Sequence, residues 1–328
     1  MRKIVARLAA GVAAAGLAAL AALAAAGSAQ AQDFPAKPVR LVVPFPPGGP
    51  LDVTGRLIAR DLQERWGQPV LVDNRPGGTT GTEFLARSAP DGYTLMIISS
   101  SPLVTLPQMQ KVSYDVLKAF TGITQTVNLT YGLVANPATG IASVQQLVDA
   151  ARKAPGKLNY ATGGIGSGQH LYVELLSLAA GGIQLTQIPY KGAAGGMQAL
   201  IAGEVQIMLD VSSSVIPVVS AGKARALMVT GSKPLEQLPG VPTFDSLFPG
   251  LDISSWHGIF APAGVPRGLQ EKIAGDVRRT LQAPGVSTRL KDLGFEISGV
   301  SGDAFNEIVR RDYERWGEVI RKNNIRSE

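Results

Sequence analysis

Two glycine-rich turns carry the strongest chemical signal in this sequence. One lies in PFPPGG and is named turn A (residues 45–49); the other reads TGGIGSGQ and is named turn B (residues 162–169). Each follows a strand pattern and precedes a helix pattern, where backbone N–H groups are free and the helix dipole favours a negative ligand. Glycine lets the backbone approach a ligand closely. Two such turns facing each other across a cleft could hold a carboxylate, or both ends of a dicarboxylate, without an arginine.

The bland alternative is that these glycines only make tight turns, but their matching places in two halves of the chain favour binding. The candidate contacts within the turns are Phe45, Pro47, Gly48, Gly49, Thr162, Gly166, Ser167 and Gln169. His170, just inside the helix after turn B, could act as a base or donate to a ligand, although a residue there more often packs or caps locally.

Four polar residues outside the turns complete the candidate site. Asp52 falls in the first turn of a helix and either complements the dipole or fixes turn A. Asp210 ends a strand at the edge where α/β proteins bind ligands. A carboxylate there would repel an acidic ligand, but it could accept a hydrogen bond from the ligand or orient backbone N–H groups. Ser99 and Thr126 are small hydroxyl donors that suit a polar cleft wall, with caps and turns as their alternative role.

Other chemistries lack the residues that they need. A G-x-G-x-x-G fingerprint in turn B would require glycine where Gln169 or Leu171 stands, and no phosphate-binding G-x-x-x-x-G-K-[S/T] motif occurs. A nucleophile elbow at Ser167 would require glycine at Ile165 and Gln169. The chain has no cysteine and two histidines, which removes thiol catalysis and disfavours zinc. We therefore expect no enzyme activity, no metal and no cofactor.

Strand and helix patterns alternate along the chain, in the order strand, turn, helix, strand that indicates a parallel sheet with crossover helices. Strands are predicted over residues 39–45, 69–72, 94–98, 122–134, 157–162, 187–190, 205–210, 224–230 and 256–262. Helices are predicted over residues 56–66, 83–87, 143–153, 169–179, 194–202, 268–281 and 302–322, and residues 234–249 are predicted to be a wrapping loop.

The C-terminal helices suit a chain that returns from a second domain to cover the first. We predict a signal peptide over 1–31, a discontinuous first domain over 32–127 and 256–328, and a second domain over 128–255. The chain should cross between the domains near residues 124–130 and 254–258. His257, in an apolar strand, is expected to be structural or to lie at this hinge.

The first 31 residues have the pattern of a secretory signal. Residues 1–7 carry three positive charges, residues 8–26 are almost entirely Ala, Leu, Val and Gly, and AQA at residues 29–31 supplies a small-x-small cleavage motif. A membrane anchor is the alternative, but the apolar run is mostly alanine and a cleavage site follows it. We expect cleavage after Ala31 and export to the periplasm. The absence of cysteine excludes a lipoprotein anchor.

Composition limits the class of the mature chain. Without the signal, about 297 residues remain, with 28 basic and 25 acidic side chains and a net charge of +3. These charges are scattered, which argues against a nucleic-acid partner. The length favours two domains, and without disulfides their stability must come from burial.

Several motifs resemble the Bug-type substrate-binding proteins of tripartite tricarboxylate transporters. They are PFPPGG with Asp52, NRPGG at 74–78, PDGYTL at 90–95, IPYKG at 188–192, VPT at 241–243 and APAGVP at 261–266. They occur in order over nearly all of the mature chain, so a chance match is implausible. The resemblance implies the type II periplasmic binding-protein fold, with two α/β domains joined by two crossing strands.

The resemblance also implies a ligand and partners. In the family a carboxylate sits against the turns that match A and B, often through ordered waters, which bridge backbone donors at little cost. Hydroxyls such as those at Ser99, Thr126, Thr162 and Ser167 would complete the shell. The family binds dicarboxylates, amino acids and aromatic acids, so membership does not name the solute. We expect a monomer that docks on the membrane subunits of the transporter, with a periplasmic ligand sensor as the alternative.

Overall fold

Eleven strands form two sheets in the part of the chain that the structure describes. The structure is a computed structural model, described over residues 34–76, 79–164, 167–190, 192–231, 233–249 and 255–322. The strands are β1 (Val39–Val43), β2 (Val70–Asn74), β3 (Thr94–Ser99), β4 (Phe120–Leu129), β5 (Tyr131–Ala135), β6 (Asn159–Thr162), β7 (Thr186–Pro189), β8 (Ile207–Val211), β9 (Arg225–Val229), β10 (Ser255–Pro262) and β11 (Phe295–Ile297).

Helices connect and cover these strands. They are α1 (Pro50–Trp66), α2 (Thr80–Ala86), α3 (Ser100–Val104), α4 (Leu106–Met109), α5 (Val116–Ala119), α6 (Val144–Lys153), α7 (Gly168–Ala179), α8 (Ala193–Ala202), α9 (Ser212–Ser220), α10 (Phe244–Leu247), α11 (Arg267–Gln282), α12 (Pro284–Asp292) and α13 (Asp303–Lys322). All of them lie in Lys37–Glu328, which is one compact unit.

The first sheet has the order β11-β4-β10-β3-β1-β2, and the second has the order β7-β6-β8-β5-β9. Strands β1, β2 and β3 are parallel, as are β6, β7 and β8, whereas β10 and β5 run against their neighbours. Two mixed sheets with helical crossovers confirm the predicted α/β class.

The two sheets meet where β4 leads into β5, with only Thr130 between them. We name this place the junction. Strands β3 and β4 are both antiparallel to β10, and β1 is parallel to β3, so β1, β3 and β4 run in the same direction. The C-terminal ends of β1 and β3 therefore lie at the edge where β4 leaves the sheet. Strands β6 and β8 run opposite to β5, so their C-terminal ends lie at the edge where β5 begins. The C-terminal ends of all four strands therefore face the junction.

The long helices follow their apolar periodicity. In α1, Ile58 and Leu62 are buried, and Gly67 ends the helix in the left-handed conformation at φ +61°. Ser143 begins α6 as predicted, since its side chain accepts a hydrogen bond from the N–H of Gln146. Among the described helices, none is long and apolar enough to cross a bilayer.

Three sequence interpretations were wrong or incomplete. The predicted wrapping loop contains α10, which begins at a Thr243 cap. Residues 212–220 form α9, for which no helix was predicted, because its β-branched residues and Pro217 obscure a helical pattern. The extended segment 122–134 is two strands in different sheets, because the backbone changes partners at Thr130. The short elements α3, α4, α5, α12 and β11 were not predicted.

Candidate functional site

Both glycine-rich turns lie at sheet edges that face the junction. Turn A joins the end of β1 to the start of α1, and turn B joins the end of β6 to the start of α7. Neither turn contains a charged residue. Any anion bound there would therefore be held chiefly by backbone N–H groups and neutral side chains.

Helices at this edge point their N-termini toward the junction. The N-cap residue of α1 is Gly49 and that of α8, after β7, is Gly192; neither helix has a side-chain cap hydrogen bond. Helix α7 is capped by Ser167, whose hydroxyl accepts from the N–H of His170 at 3.4 Å. The uncapped N–H groups and the helix dipoles favour a negative ligand at these N-termini.

Asp52 fixes turn A rather than capping α1. Its Oδ2 accepts the N–H of Gly48 at 2.9 Å and Nε of Arg56 at 2.8 Å. Its Oδ1 accepts Nδ2 of Asn74 at 2.9 Å, and the same Nδ2 donates to the carbonyl of Phe45 at 3.1 Å. Burial raises the pKa of Asp52, but these hydrogen bonds outweigh burial and leave the pKa below its usual value. The carboxylate therefore stays ionised and connected to the turn.

Gly48 holds turn A in a conformation that other residues rarely adopt. Its φ is +89°, whereas the φ of Gly49 is −78°, and an added Cβ would have no atom within 4 Å at either position. We therefore expect Gly48→Ala to cost about 1–3 kcal/mol of stability through backbone strain alone. Urea unfolding measures this cost. Gly49→Ala is the matched control, and equal stabilities of the two variants would contradict the assigned backbone geometry.

Turn B is held by a second pair of polar side chains. Oε1 of Gln169 accepts the N–H of Gly163 at 2.8 Å, and Nε2 of Gln169 donates to Oδ1 of Asp210 at 2.8 Å. Both side chains are buried. The same Oδ1 accepts the N–H of Val211 at 2.8 Å. Gln169 and Asp210 were predicted to contact the ligand. Their polar atoms instead bond to each other and to backbone N–H groups.

Asp210 is a buried carboxyl group without a cationic partner among the described residues. Burial raises its pKa to about 6, although hydrogen bonds from Val211, Gln169 and Ser214 act in the opposite direction. Its second oxygen, Oδ2, accepts no hydrogen bond of normal geometry from a described residue. The group therefore changes charge close to neutral pH.

The predicted hydroxyl residues Ser99, Thr126 and Thr162 differ in burial and in hydrogen bonding. Ser99 is half-buried and is the N-cap residue of α3, where its side chain makes no cap hydrogen bond. Thr126 is fully buried and donates to the carbonyl of His257 at 3.0 Å. Thr162 is fully buried, and its hydroxyl accepts from Nε2 of Gln187 at 2.9 Å. Thr126 and Thr162 thus brace their own sheets, while Ser99 remains partly accessible. The predicted contact Gly166 lies outside the described residues.

Phe45 and Pro47 are exposed at the rim of turn A, so their apolar faces are available to a ligand. His170 is buried, and burial lowers its pKa while Glu174 raises it, with a net lowering. His257 is buried in β10, and burial lowers its pKa to about 3. Its burial in the returning strand agrees with a structural role, and the hinge role stays a prediction.

Sequence reasoning did not assign a site role to Asn74, Tyr131 or Ser255. Asn74 ends β2 beside β1, and its strand-end position was the available signal. The hydroxyl of Tyr131, the first residue of β5, lies 3.1 Å from where a Cβ on Gly168 would stand. The hydroxyls of Ser100, the first residue of α3, and Ser255, the first residue of β10, lie 3.0 Å apart. Within the described ranges, no group of three or more His, Cys, Asp or Glu is placed to hold a metal.

The profile of the family described as "Tripartite tricarboxylate transporter family receptor" matches residues 54–325. The chain is 35% identical over 291 residues to the UPF0065 protein in the tcbD-tcbE intergenic region of Pseudomonas sp. (strain P51), which spans 88% of this chain and 86% of that protein. It is 33% identical over 301 residues to Protein BugT of Bordetella pertussis, spanning 90% and 92% of the two chains.

Solved structures agree with these matches. Rpa4515 of R. palustris with adipate has a TM-score of 0.82 and 30% identity, over 89% of this chain and 99% of that one. The periplasmic binding protein BugD has a TM-score of 0.80 and 30% identity, over 90% and 100%. MatC from Rhodopseudomonas palustris with bound malate has a TM-score of 0.78 and 29% identity, over 88% and 100%. The chain therefore belongs to the TctC, or Bug-type, family of tripartite tricarboxylate transporter receptors.

Proposed function

We propose that this protein captures a small carboxylate between turns A and B and delivers it to the membrane subunits of a tripartite tricarboxylate-type transporter. The observation that carries this proposal is the pair of uncharged strand-to-helix turns, both at edges that face the junction. Carboxylate oxygens match backbone N–H donors at the positive ends of helices. Ligand that contacts both sheets would stabilise a closed arrangement by its differential affinity for that arrangement.

Two relatives support the choice of ligand class. Rpa4515 was solved with adipate and MatC with malate, and both resemble this chain over nearly its whole described length. Both ligands are small aliphatic dicarboxylates. The solute of this chain is proposed to be an acid of comparable size, bound directly or through ordered water at the two turns.

The same proposal places the protein in the periplasm as a monomer without catalytic activity. The signal pattern over residues 1–31 supports export, with cleavage after Ala31; this segment lies outside the described residues. Mass spectrometry of the protein recovered from the periplasm tests the cleavage site. A mature N-terminus at Gln32 is expected, and an intact signal would contradict export by this route.

A thermal-shift screen tests the ligand class. The panel contains adipate, malate, citrate, glutamate and benzoate, each beside its neutral amide. An acid at a hundredfold excess over its Kd should stabilise the protein by about 2.7 kcal/mol, and its amide should not. A protein stabilised by sugars or cations but by no acid would contradict the proposal. Loss of uptake on deletion of the membrane subunits tests delivery, whereas lost signalling with intact uptake would indicate a sensor.

A further inference from the structure

Turns A and B are each held by a carboxylate paired with an amide. At turn A the pair is Asp52 and Asn74, which contacts the backbone at Phe45 and Gly48. Asp52 is 3% exposed. The pair therefore fixes both ends of the short turn from behind.

At turn B the pair is Asp210 and Gln169, which contacts the backbone at Gly163. Gln169 is 7% exposed and Asp210 is 2% exposed. In this conformation the two side chains leave little surface for a ligand, and their hydrogen bonds run from the strand end through the amide to the turn.

The two pairs have matching positions in the two sheets. One member comes from the first turn of the helix that follows the turn: Asp52 in α1 and Gln169 in α7. The other lies in the last two residues of the strand adjacent to the one that enters the turn: Asn74 on β2 beside β1, and Asp210 on β8 beside β6. The chemical roles are exchanged, because the helix supplies the carboxylate in one sheet and the amide in the other.

We propose that the Asp52–Asn74 and Asp210–Gln169 pairs are positioning residues that set the affinity of turns A and B for an anionic group without contacting it. This inference rests on the proposed carboxylate-binding function. Ordering a turn before the ligand arrives removes part of the entropy cost of binding. Backbone donors already held in place also need less reorganisation than free ones.

The two pairs differ in charge. This difference predicts a pH dependence of ligand affinity that a purely structural role would not produce. The carboxylate of Asp52 is neutralised by Arg56. Asp210 faces Tyr131 on β5, Gln169 on α7 and Ser214 on α9, and none of these side chains is cationic. A proton added at Oδ2, which accepts no hydrogen bond of normal geometry from a described residue, leaves the two hydrogen bonds of Oδ1 in place and removes a negative charge behind turn B.

The ionisable groups on α7 do not change the expected titration of Asp210. His170 is coupled to Glu174 on the same helix, and neither contributes to the pKa shift of Asp210. Tyr131 has a pKa raised well above its usual value by burial, so it stays neutral. Affinity for an anion should therefore increase as the pH falls through about 6.

Matched amides elsewhere in the fold provide the controls. Oε1 of Gln206 accepts the N–H of Asn159 at 2.9 Å, at the opposite end of β6 from turn B. Oδ1 of Asn306 accepts the N–H of Gly122 at 2.8 Å, on β4. Gln206→Leu and Asn306→Ala each remove a hydrogen bond to backbone that does not belong to either turn.

The experiment measures Kd by isothermal titration for the tightest-binding acid among adipate, malate, citrate, glutamate and benzoate, with urea unfolding in parallel. Gln169→Leu and Asn74→Ala should bind it about 10- to 100-fold more weakly than the wild-type protein. Gln206→Leu and Asn306→Ala should stay within about twofold of the wild type, with comparable losses of stability. If Gln169→Leu does not fold, Gln169→Asn replaces it, since one fewer methylene prevents the amide from reaching both partners.

Asp210→Asn separates geometry from charge, because its amide oxygen can accept the bonds that Oδ1 accepts. Its affinity should equal or exceed that of the wild type at pH 8, and the ratio of the two affinities should approach one at pH 5. Taking this ratio at each pH removes the effect of the ligand's own titration, because both proteins bind the same acid. Unchanged affinity in Gln169→Leu, or equal weakening in the control variants, would overturn the positioning role. A wild-type protein that binds none of the acids would instead contradict the proposed function.

Discussion

Between about pH 6 and pH 4, His257→Asn is expected to gain stability relative to the wild-type protein by about 1.4 kcal/mol per pH unit. His257 is 3% exposed, and burial lowers its pKa from 6.5 to about 3. The unfolded chain therefore binds a proton at a higher pH than the folded chain does. The stability contributed by the neutral imidazole is present above pH 6.5 and is lost as the pH falls toward 3. Asparagine does not titrate in this range, so the variant escapes the loss.

Asp210→Asn provides the opposite slope in the same experiment. Burial raises the pKa of Asp210 from 3.8 to about 6, so the folded state binds its proton first and gains stability as the pH falls from 6 to 3.8. Removing this group should make the variant lose stability relative to the wild type over that window, by about the same slope. Urea unfolding at half-unit pH intervals measures both differences. Curves for the three proteins that stay parallel would show that neither group is shifted as the structure implies.

Gly258→Ala should destabilise the protein by about 3 kcal/mol or more, because the new methyl group has no space. A Cβ at this position in β10 would lie 2.4 Å from Cζ of Phe305 and 3.1 Å from a ring carbon of Phe260. Phe305, on α13, is fully buried and also lies against Gly122 of β4. Relief of the clash requires a shift of α13 away from the strands near the junction. Urea unfolding of the purified variant measures the loss.

The control for Gly258→Ala is a glycine with space around it. Gly285, in α12, has nothing within 4 Å of an added Cβ, so Gly285→Ala should raise stability by up to about 1 kcal/mol through helix propensity. Phe305→Leu should cost less in the Gly258→Ala background than in the wild type, because it makes room for the methyl group. Additive losses in the double variant would show that the clash lies elsewhere.

The positions of turns A and B could be predicted because their signals are local. Turns A and B are each a glycine cluster between a strand and a helix pattern, and both occupy the predicted place in the fold. Helix ends at Gly67 and Ser143 were also readable, since caps depend on neighbouring residues. Local patterns failed at α9, where tertiary packing stabilises a helix despite β-branched residues and Pro217.

The pairs behind the turns could not be predicted, because they depend on the order of strands. Asn74 and Asp52 are 22 residues apart, and Asp210 and Gln169 are 41 residues apart. Their contact follows from β2 lying beside β1 and β8 lying beside β6, and one sequence does not reveal sheet order. The sequence therefore nominated Gln169 and Asp210 separately as ligand contacts, whereas the structure joins them to each other.

A crystal structure with the acid that gives the largest thermal shift is the most direct test of carboxylate capture by the two turns. We predict a ligand carboxylate within hydrogen-bonding distance of backbone N–H groups in turn A and in turn B, directly or through one ordered water. An acid held mainly by arginine or lysine side chains, or bound away from both turns, would contradict it.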